Sequence, residues 1–399
     1  MEDTMAGDPD RAMELMMRVW PAAVARVREE VRDMEAIARR EGQSITIEPW
    51  DYLFYAEKVR QERYDLDQNE IKPYFELNNM MNGMFWTAEQ LYGLTFHEIT
   101  GQVPVFQEDV RVYEVREGDR HVGLFYIDNF ARAGKRSGAW MTAYRSQERF
   151  EDVITPLVSN NCNYMRGRSN EPVLLSWDDA TTLFHEFGHA LHGLLSAVQY
   201  PTLSGTNVPR DFVEFPSQLL EHWLSTPEVL NRFARHYQTG EPLPTELLQR
   251  VLDSQIFNEG FRTTEYVAAS LIDQAWHQRA AGDVPDDTIA FEQATLKATG
   301  MDYRPVPPRY HSTYFSHIMG GYSAGYYAYI WSEVLDADAV DWFTENGGLD
   351  RRLGDHFRAT LLSQGGSKDA MELYQDFAGR LPSVEPLLKR RGLLTVLDN

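Results

Sequence analysis

His185-Glu186-Phe187-Gly188-His189 is the stretch that decides how this chain is read. A helix turns once per 3.6 residues, so positions i and i+4 lie on one face. Two imidazoles at that spacing can reach one small cation, at about 2.0–2.1 Å each for zinc. Glu186 sits one position round the helix, where it can address a water on the cation without taking a ligand place. The pattern is H-E-x-x-H, in which two histidines hold a metal and the glutamate serves as a base.

The flanks support a helix. Pro172-Val173-Leu174-Leu175 reads as a short buried strand. Ser176, with Asp179 three residues on, forms a capping-box pattern. Leu183, Phe184, Phe187, Ala190, Leu191, Leu194 and Leu195 recur at helical spacing. No proline falls between Trp177 and Tyr200. Gly188 costs about 1 kcal/mol of helix propensity against alanine; close approach by another segment would account for it. The plain alternative for so short a motif is a chance match.

A catalytic zinc takes three protein ligands and one open position. His192 fails as the third, because it lies about 10.5 Å along the helix axis from His185. It is expected to pack beside the site or to donate a hydrogen bond behind it. Downstream, Arg210-Asp211-Phe212-Val213-Glu214-Phe215-Pro216-Ser217-Gln218-Leu219-Leu220-Glu221 offers acids on another helical stretch. Glu214 lies 214 − 189 = 25 residues past the second histidine, enough for a loop and a returning helix. Its bland alternative is a solvated helix acid. Val213 and Phe215 make that an apolar setting for an unpaired charge, which is costly to bury. Glu221 is two turns beyond Glu214 on the same face, placed to support a ligand.

The second informative segment is His317-Ile318-Met319-Gly320-Gly321-Tyr322-Ser323-Ala324-Gly325-Tyr326-Tyr327-Ala328-Tyr329. Gly320-Gly321 lets the backbone bend and approach a ligand. Tyr322, Tyr326 and Tyr329 form one stripe if the segment is helical. Phenol and imidazole donors suit an oxyanion, where losing one donor costs on the order of 100-fold or more in rate. An aromatic helix face packed in the core is the competing reading. The glycines and His317 favour a site.

These three segments, in this order, resemble the thimet oligopeptidase family of zinc metallopeptidases. The wording is nearest to its bacterial dipeptidyl carboxypeptidase (peptidyl-dipeptidase) branch. Thr202-Leu203-Ser204-Gly205-Thr206, Val306-Pro307-Pro308-Arg309-Tyr310 and Gly134-Lys135-Arg136-Ser137-Gly138-Ala139-Trp140 are similar to that branch as well. So are Asn160-Asn161-Cys162-Asn163 and Pro49-Trp50-Asp51. The resemblance implies a zincin-type, mainly helical (α+β) catalytic domain binding one Zn2+ per chain. It implies His185, His189 and Glu214 as metal ligands, Glu186 as general base and proton donor, and His317 and Tyr326 as oxyanion donors. Tyr322, Tyr329, Gly320 and Gly321 would contact substrate, with Arg210 supporting the site or the substrate. It implies hydrolysis of short peptides by release of C-terminal dipeptides; internal cleavage is the alternative, and a catalytically impaired scaffold or peptide-binding protein the rival from another class. The family usually carries a long helical N-terminal region, the far wall of a channel. Met1-Glu2-Asp3-Thr4-Met5-Ala6 already resembles the interior of the catalytic region, so that wall is expected to be missing.

Composition narrows the class further. The chain has 399 residues and a formal net charge of −22, which argues against nucleic acid or an anionic membrane as partner. One cysteine, Cys162, excludes an internal disulfide framework and fits a reducing compartment. The first twenty residues lack an apolar signal core, and no apolar run approaches the roughly 20 residues that span a bilayer. A cytoplasmic protein, with a monomer favoured, is expected.

Along the chain, Trp20, Val24, Val27, Val31 and Met34 mark a helix ending near Gly42. Asp67 with Glu70 opens another, running through Met80 and Leu91. Val112–Val115 and Val122–Tyr126 flank Glu117-Gly118-Asp119 as a hairpin. The organisation expected is one catalytic unit over 1–399, helical over 1–110, with a small sheet region at 111–175 that includes Val173–Leu175. A zinc-binding helical region follows over 176–399, broken near Gly205, Pro242–Pro244 and Pro305–Pro308.

Overall fold

The computed structural model describes residues 1–64, 68–167 and 171–394. The chain divides into two compact units, each built from separated segments. The first comprises Met1–Leu66, Gln249–Val334 and Val384–Asn399; the second comprises Asp67–Leu248 and Leu335–Ser383.

In the first unit, Asp8 caps a 32-residue helix, Pro9–Arg40, by accepting from the Arg11 amide. The expected stripe of Trp20, Val24, Val27, Val31 and Met34 is its buried face. The helix stops at Glu41, before Gly42 at φ +81°. A second helix, Pro49–Tyr64, lays Tyr52, Tyr55, Ala56 and Val59 on that face, with Phe257 and Val306 completing the cluster. The Glu259–His277 helix begins after Asn258, whose φ is +60°, with no side-chain cap of its own. Glu30 supplies one from afar. Its buried carboxylate accepts from the Gly260 and Phe261 amides at 3.0 Å each, and from the Tyr52 hydroxyl at 3.1 Å. Burial pushes this carboxyl up to about 7, with its donors and Arg26 opposing the shift.

The second unit holds a five-stranded sheet in the order β1-β2-β3-β5-β4. Its strands are β1 (Leu94–Glu98), β2 (Arg111–Glu117), β3 (Arg120–Phe130), β4 (Trp140–Arg145) and β5 (Leu157–Tyr164). The predicted hairpin is β2–β3, turning at Gly118 with φ +58°. Pairing is antiparallel except between β3 and β5. The sheet therefore precedes the motif helix, as expected, but Val173–Leu175 is not one of its strands. Between Pro172 and the cap at Ser176 it has room only for a bridge from Leu174 to Glu76. The helix expected from Asp67 to Leu91 also divides. Asp67 lies outside the described residues. A short helix, Gln68–Ile71, gives way to a tight turn at Lys72-Pro73-Tyr74, and Glu76 caps a new helix over Leu77–Tyr92. Pro73 explains the break, since it cannot donate to the helix ladder.

The motif helix runs over Trp177–Leu194 behind a complete capping box of Ser176 and Asp179. It packs on β5 in the opposite direction. The Tyr164 hydroxyl, at the end of β5, donates to the Asp179 carbonyl near the helix start. Val158, near the start of β5, lies against Gly193. Phe187 joins Phe85, Phe96 and Phe125 with ring centroids 5.5–5.8 Å away. On the opposite side, a Cβ at Gly188 would meet Ser217 Cα at 2.5 Å and the Pro216 carbonyl oxygen at 2.8 Å. That is the close approach the glycine implied, and the partner is the Phe215–Leu224 helix.

Candidate metal centre

Glu214 stands at the junction of two helical pieces, Arg210–Val213 and Phe215–Leu224. Pro216 in the first turn of the second piece fixes its start. The Gly188 contact brings this junction against the motif helix. Glu214 Oε2 thereby lies 3.2 Å from His185 Nε2 and 3.0 Å from His189 Nε2. One donor atom from each of the three residues falls within 4.8 Å of the others. Ligand atoms at about 2.0–2.1 Å in tetrahedral array sit about 3.4 Å apart, so the spacing suits one zinc-sized cation.

The electrostatics agree with the donor set. Burial resists charge on His185, yet contacts with Glu214 and Glu221 hold its pKa well above the ordinary value. Burial likewise resists charge on Glu214, and His189 and His185 outweigh it, holding that carboxyl well below its ordinary value. The cluster therefore draws positive charge to one point, and a divalent cation can replace protons there.

Neighbouring atoms fix the ligands. Glu221 Oε1 lies 2.6 Å from His185 Nδ1, the supporting contact its spacing suggested. The Ser217 hydroxyl donates to the Glu214 carbonyl at 2.8 Å. Glu186 is buried, its Oε2 has no partner, and burial raises its pKa against the pull of His185 and His189. His192 packs inside as expected, but donates nothing: both ring nitrogens are buried without a partner. Burial, with His189 adding, pushes its pKa down to about 3, so it stays neutral. Arg210 is exposed at the start of its short helix.

The glycine–tyrosine segment belongs to the first unit. It is not a helix until Ala328. Ser316–Met319 is a single tight turn, and Gly320 to Tyr327 runs through further turns with Ala324 at φ +53°. The tyrosines meet all the same. Tyr322 and Tyr329 stack at 5.1 Å, and Tyr326 sits 5.6 Å from Tyr329 and 5.2 Å from His317. Gly320 and Gly321 are exposed beside them. Two residues unmarked by the sequence reading hold the turn. The buried Asp273 carboxylate accepts from the Ala324 and Tyr326 amides at 3.0 and 2.9 Å. The Tyr266 hydroxyl donates to the Tyr326 carbonyl at 2.5 Å. Their one sequence signal is a seven-residue spacing along the Glu259–His277 helix. A cavity of about 430 Å³ opens here, lined by Tyr266, Arg309, Tyr310, His317, Tyr326 and Tyr329 among others. Burial, with Arg309 adding, lowers the His317 pKa, and burial raises that of Tyr326.

Residues 1–393 match the model of peptidase family M3. The chain belongs to peptidase family M3. Dipeptidyl carboxypeptidase of Escherichia coli (strain K12) is 46% identical over 394 residues, 98% of this chain and 58% of that protein. The dipeptidyl carboxypeptidase of Salmonella typhimurium is 46% identical over 396 residues, with the same two shares. Oligopeptidase A of Escherichia coli is 35% identical over 394 residues, again 98% of this chain and 58% of that protein. This M3 chain thus spans a little under three fifths of the length of these relatives. No helix among its described residues is long and apolar enough to cross a membrane.

Proposed function

We propose that this M3 chain hydrolyses peptide bonds in short peptides with one bound Zn2+, releasing C-terminal dipeptides. The convergence of His185, His189 and Glu214 on one point, with Glu186 buried beside it, carries the reading. Bound zinc lowers the pKa of its water toward neutrality. The buried Glu186 carboxylate would take a proton from the attacking water and return it to the leaving amine. Burial raises the Glu186 pKa, which makes its carboxylate a better proton acceptor. Glu221 keeps His185 in the orientation that presents Nε2. For His317 and Tyr326 we propose the oxyanion role, supported by their chemistry: an imidazole and a phenol line one cavity. Tyr322 and Tyr329, with the Gly320-Gly321 backbone, are proposed as substrate contacts, and Arg210 as support.

Dipeptide release is favoured over internal cleavage by 46% identity to two dipeptidyl carboxypeptidases against 35% to an oligopeptidase A. The organisation proposed is one catalytic domain acting as a cytoplasmic monomer, without nucleic-acid or membrane partners. Glu186→Gln tests the chemistry: it should keep about one zinc per chain and lose at least a hundredfold in peptide turnover. A fully active variant would sink the assignment, and zinc binding without turnover in the wild type would favour the silent-scaffold reading. Peptides with free and amidated C-termini, products read by mass, separate the two activities; indifference to amidation favours the endopeptidase.

A further inference from the structure

The layer between the sheet and the motif helix holds polar atoms that the chemistry above leaves unused. Asn160 on β5 is 2% exposed, and neither its Nδ2 nor its Oδ1 has a hydrogen-bond partner. Two further partnerless buried atoms belong to the metal site itself: Glu186 Oε2 and His189 Nδ1.

The strand register puts them at one level. Asn160 pairs with Ile127 on β3 and Met141 on β4, and by alternation shares a face with Val158 and Cys162. That face lies under the motif helix. A Cβ at Gly193 would meet Met141 Cε and Val158 Cγ1 at 2.9 and 3.0 Å. Phe125, the β3 partner of Val158, has its ring 5.5 Å from that of Phe187. Because helix and strand run in opposite directions, Gly193 stands over Val158 and Asp179 over Tyr164. Cys162 is close enough to Glu186 for that charge to act on its thiol. Asn160 lies midway between Val158 and Cys162, so it falls between Gly193 and Glu186, level with His189. His192 turns about 120° away from the Glu186–Gly193 stripe at 3.6 residues per turn, off the strand-facing side.

We propose that Asn160 is a positioning residue of the metal site, its Oδ1 accepting from His189 Nδ1–H and its Nδ2 donating to Glu186 Oε2, each through one water. The donors and acceptors match in number. With Nε2, which faces Glu214, given to the metal, the His189 proton stands on Nδ1 and needs an acceptor, as a metal-ligating histidine almost always has. Glu221 fills that need for His185, and no described residue fills it for His189. A donor on Glu186 Oε2 leaves the other carboxylate oxygen to face the water. One amide would thus couple the orientation of a ligand to that of the base.

This inference rests on the metal reading given above, and its test separates the two. Zinc affinity is measured by chelator competition on the full chain for wild type, Asn160→Ala and Asn160→Leu, beside the unfolding midpoint of each metal-free protein. Zinc affinity should fall by about 10–100-fold in both variants. The metal-free midpoint should fall less in Asn160→Leu than in Asn160→Ala, because leucine fills the volume that alanine leaves empty. Wild-type zinc affinity in Asn160→Ala overturns the proposal while leaving the metal reading intact. A metal-free midpoint that falls in step with affinity in both variants also overturns it, since that marks a packing role. A wild type that binds no zinc overturns the metal reading and this inference together. If Asn160→Leu does not fold, Asn160→Ala decides on the same two measurements.

Discussion

Gly188→Ala should weaken the metal site although it adds only a methyl and improves helix propensity. The added Cβ would sit 2.5 Å from Ser217 Cα and 2.8 Å from the Pro216 carbonyl oxygen. Carbon atoms in contact rest about 3.5–4.0 Å apart, so the helices must separate by roughly 1 Å. Both obstacles are backbone, and no side chain can swing aside. Overpacking of this kind costs about 1–3 kcal/mol, and alanine returns about 1 kcal/mol of propensity. The net loss of stability is therefore about 0–2 kcal/mol. The effect on zinc is larger in proportion. Ser217 belongs to the Phe215–Leu224 helix, which has Glu214 at its cap and carries Glu221. A shift of roughly 1 Å exceeds the ~0.5 Å tolerance of a coordinating constellation. Zinc affinity should drop by about 10–100-fold, read by chelator competition, with the unfolding midpoint measured alongside. Wild-type zinc affinity in Gly188→Ala would refute the reasoning, because it would mean that the two helices do not set the ligand spacing.

Two further outcomes follow from named contacts. Glu221→Ala removes the acceptor of His185 Nδ1 and should weaken zinc about 10–100-fold while His185, His189 and Glu214 remain in place; unchanged affinity would dismiss the contact as incidental. Glu30 predicts a pH dependence. Its folded pKa is raised from 4.5 to about 7 by burial, so its stabilising contribution is full below about pH 4.5 and is lost as pH rises through about 7. At 1.36 kcal/mol per pH unit the loss is about 3 kcal/mol. Urea midpoints at pH 5 and pH 8 should show that slope in the wild type and a shallower one in Glu30→Gln; equal slopes would count against the raised pKa.

Legibility in the sequence followed the range of the forces involved. The motif helix was plain because its cap, its apolar spacing and its chemistry all lie within Ser176–Leu195. Gly188 was readable as a demand for close approach, but not as a demand from Ser217. Val173–Leu175 looked like a strand by composition, and pairing partners decided otherwise. β5 was invisible for the opposite reason. Ser159, Asn160 and Asn161 are polar yet buried, which no period-2 pattern announces. The tyrosine stripe suggested a helix by spacing, and the rings do gather. Turns held by Asp273 and Tyr266 bring them together, from some fifty residues away.

The placement of Glu30 has a consequence for how this chain is made. Its carboxylate waits for Gly260, 230 residues downstream, and the Thr4 hydroxyl waits for Tyr327. At synthesis rates of about 5–20 residues per second, Glu30 leaves the ribosome roughly 10–50 s before Gly260 and Phe261 exist. Meanwhile the apolar face of the Pro9–Arg40 helix has no Phe257 or Val306 to cover it. The first unit therefore cannot close until residues as far along as Val306 are made, and its nascent Pro9–Arg40 helix is where chaperone demand during translation should concentrate.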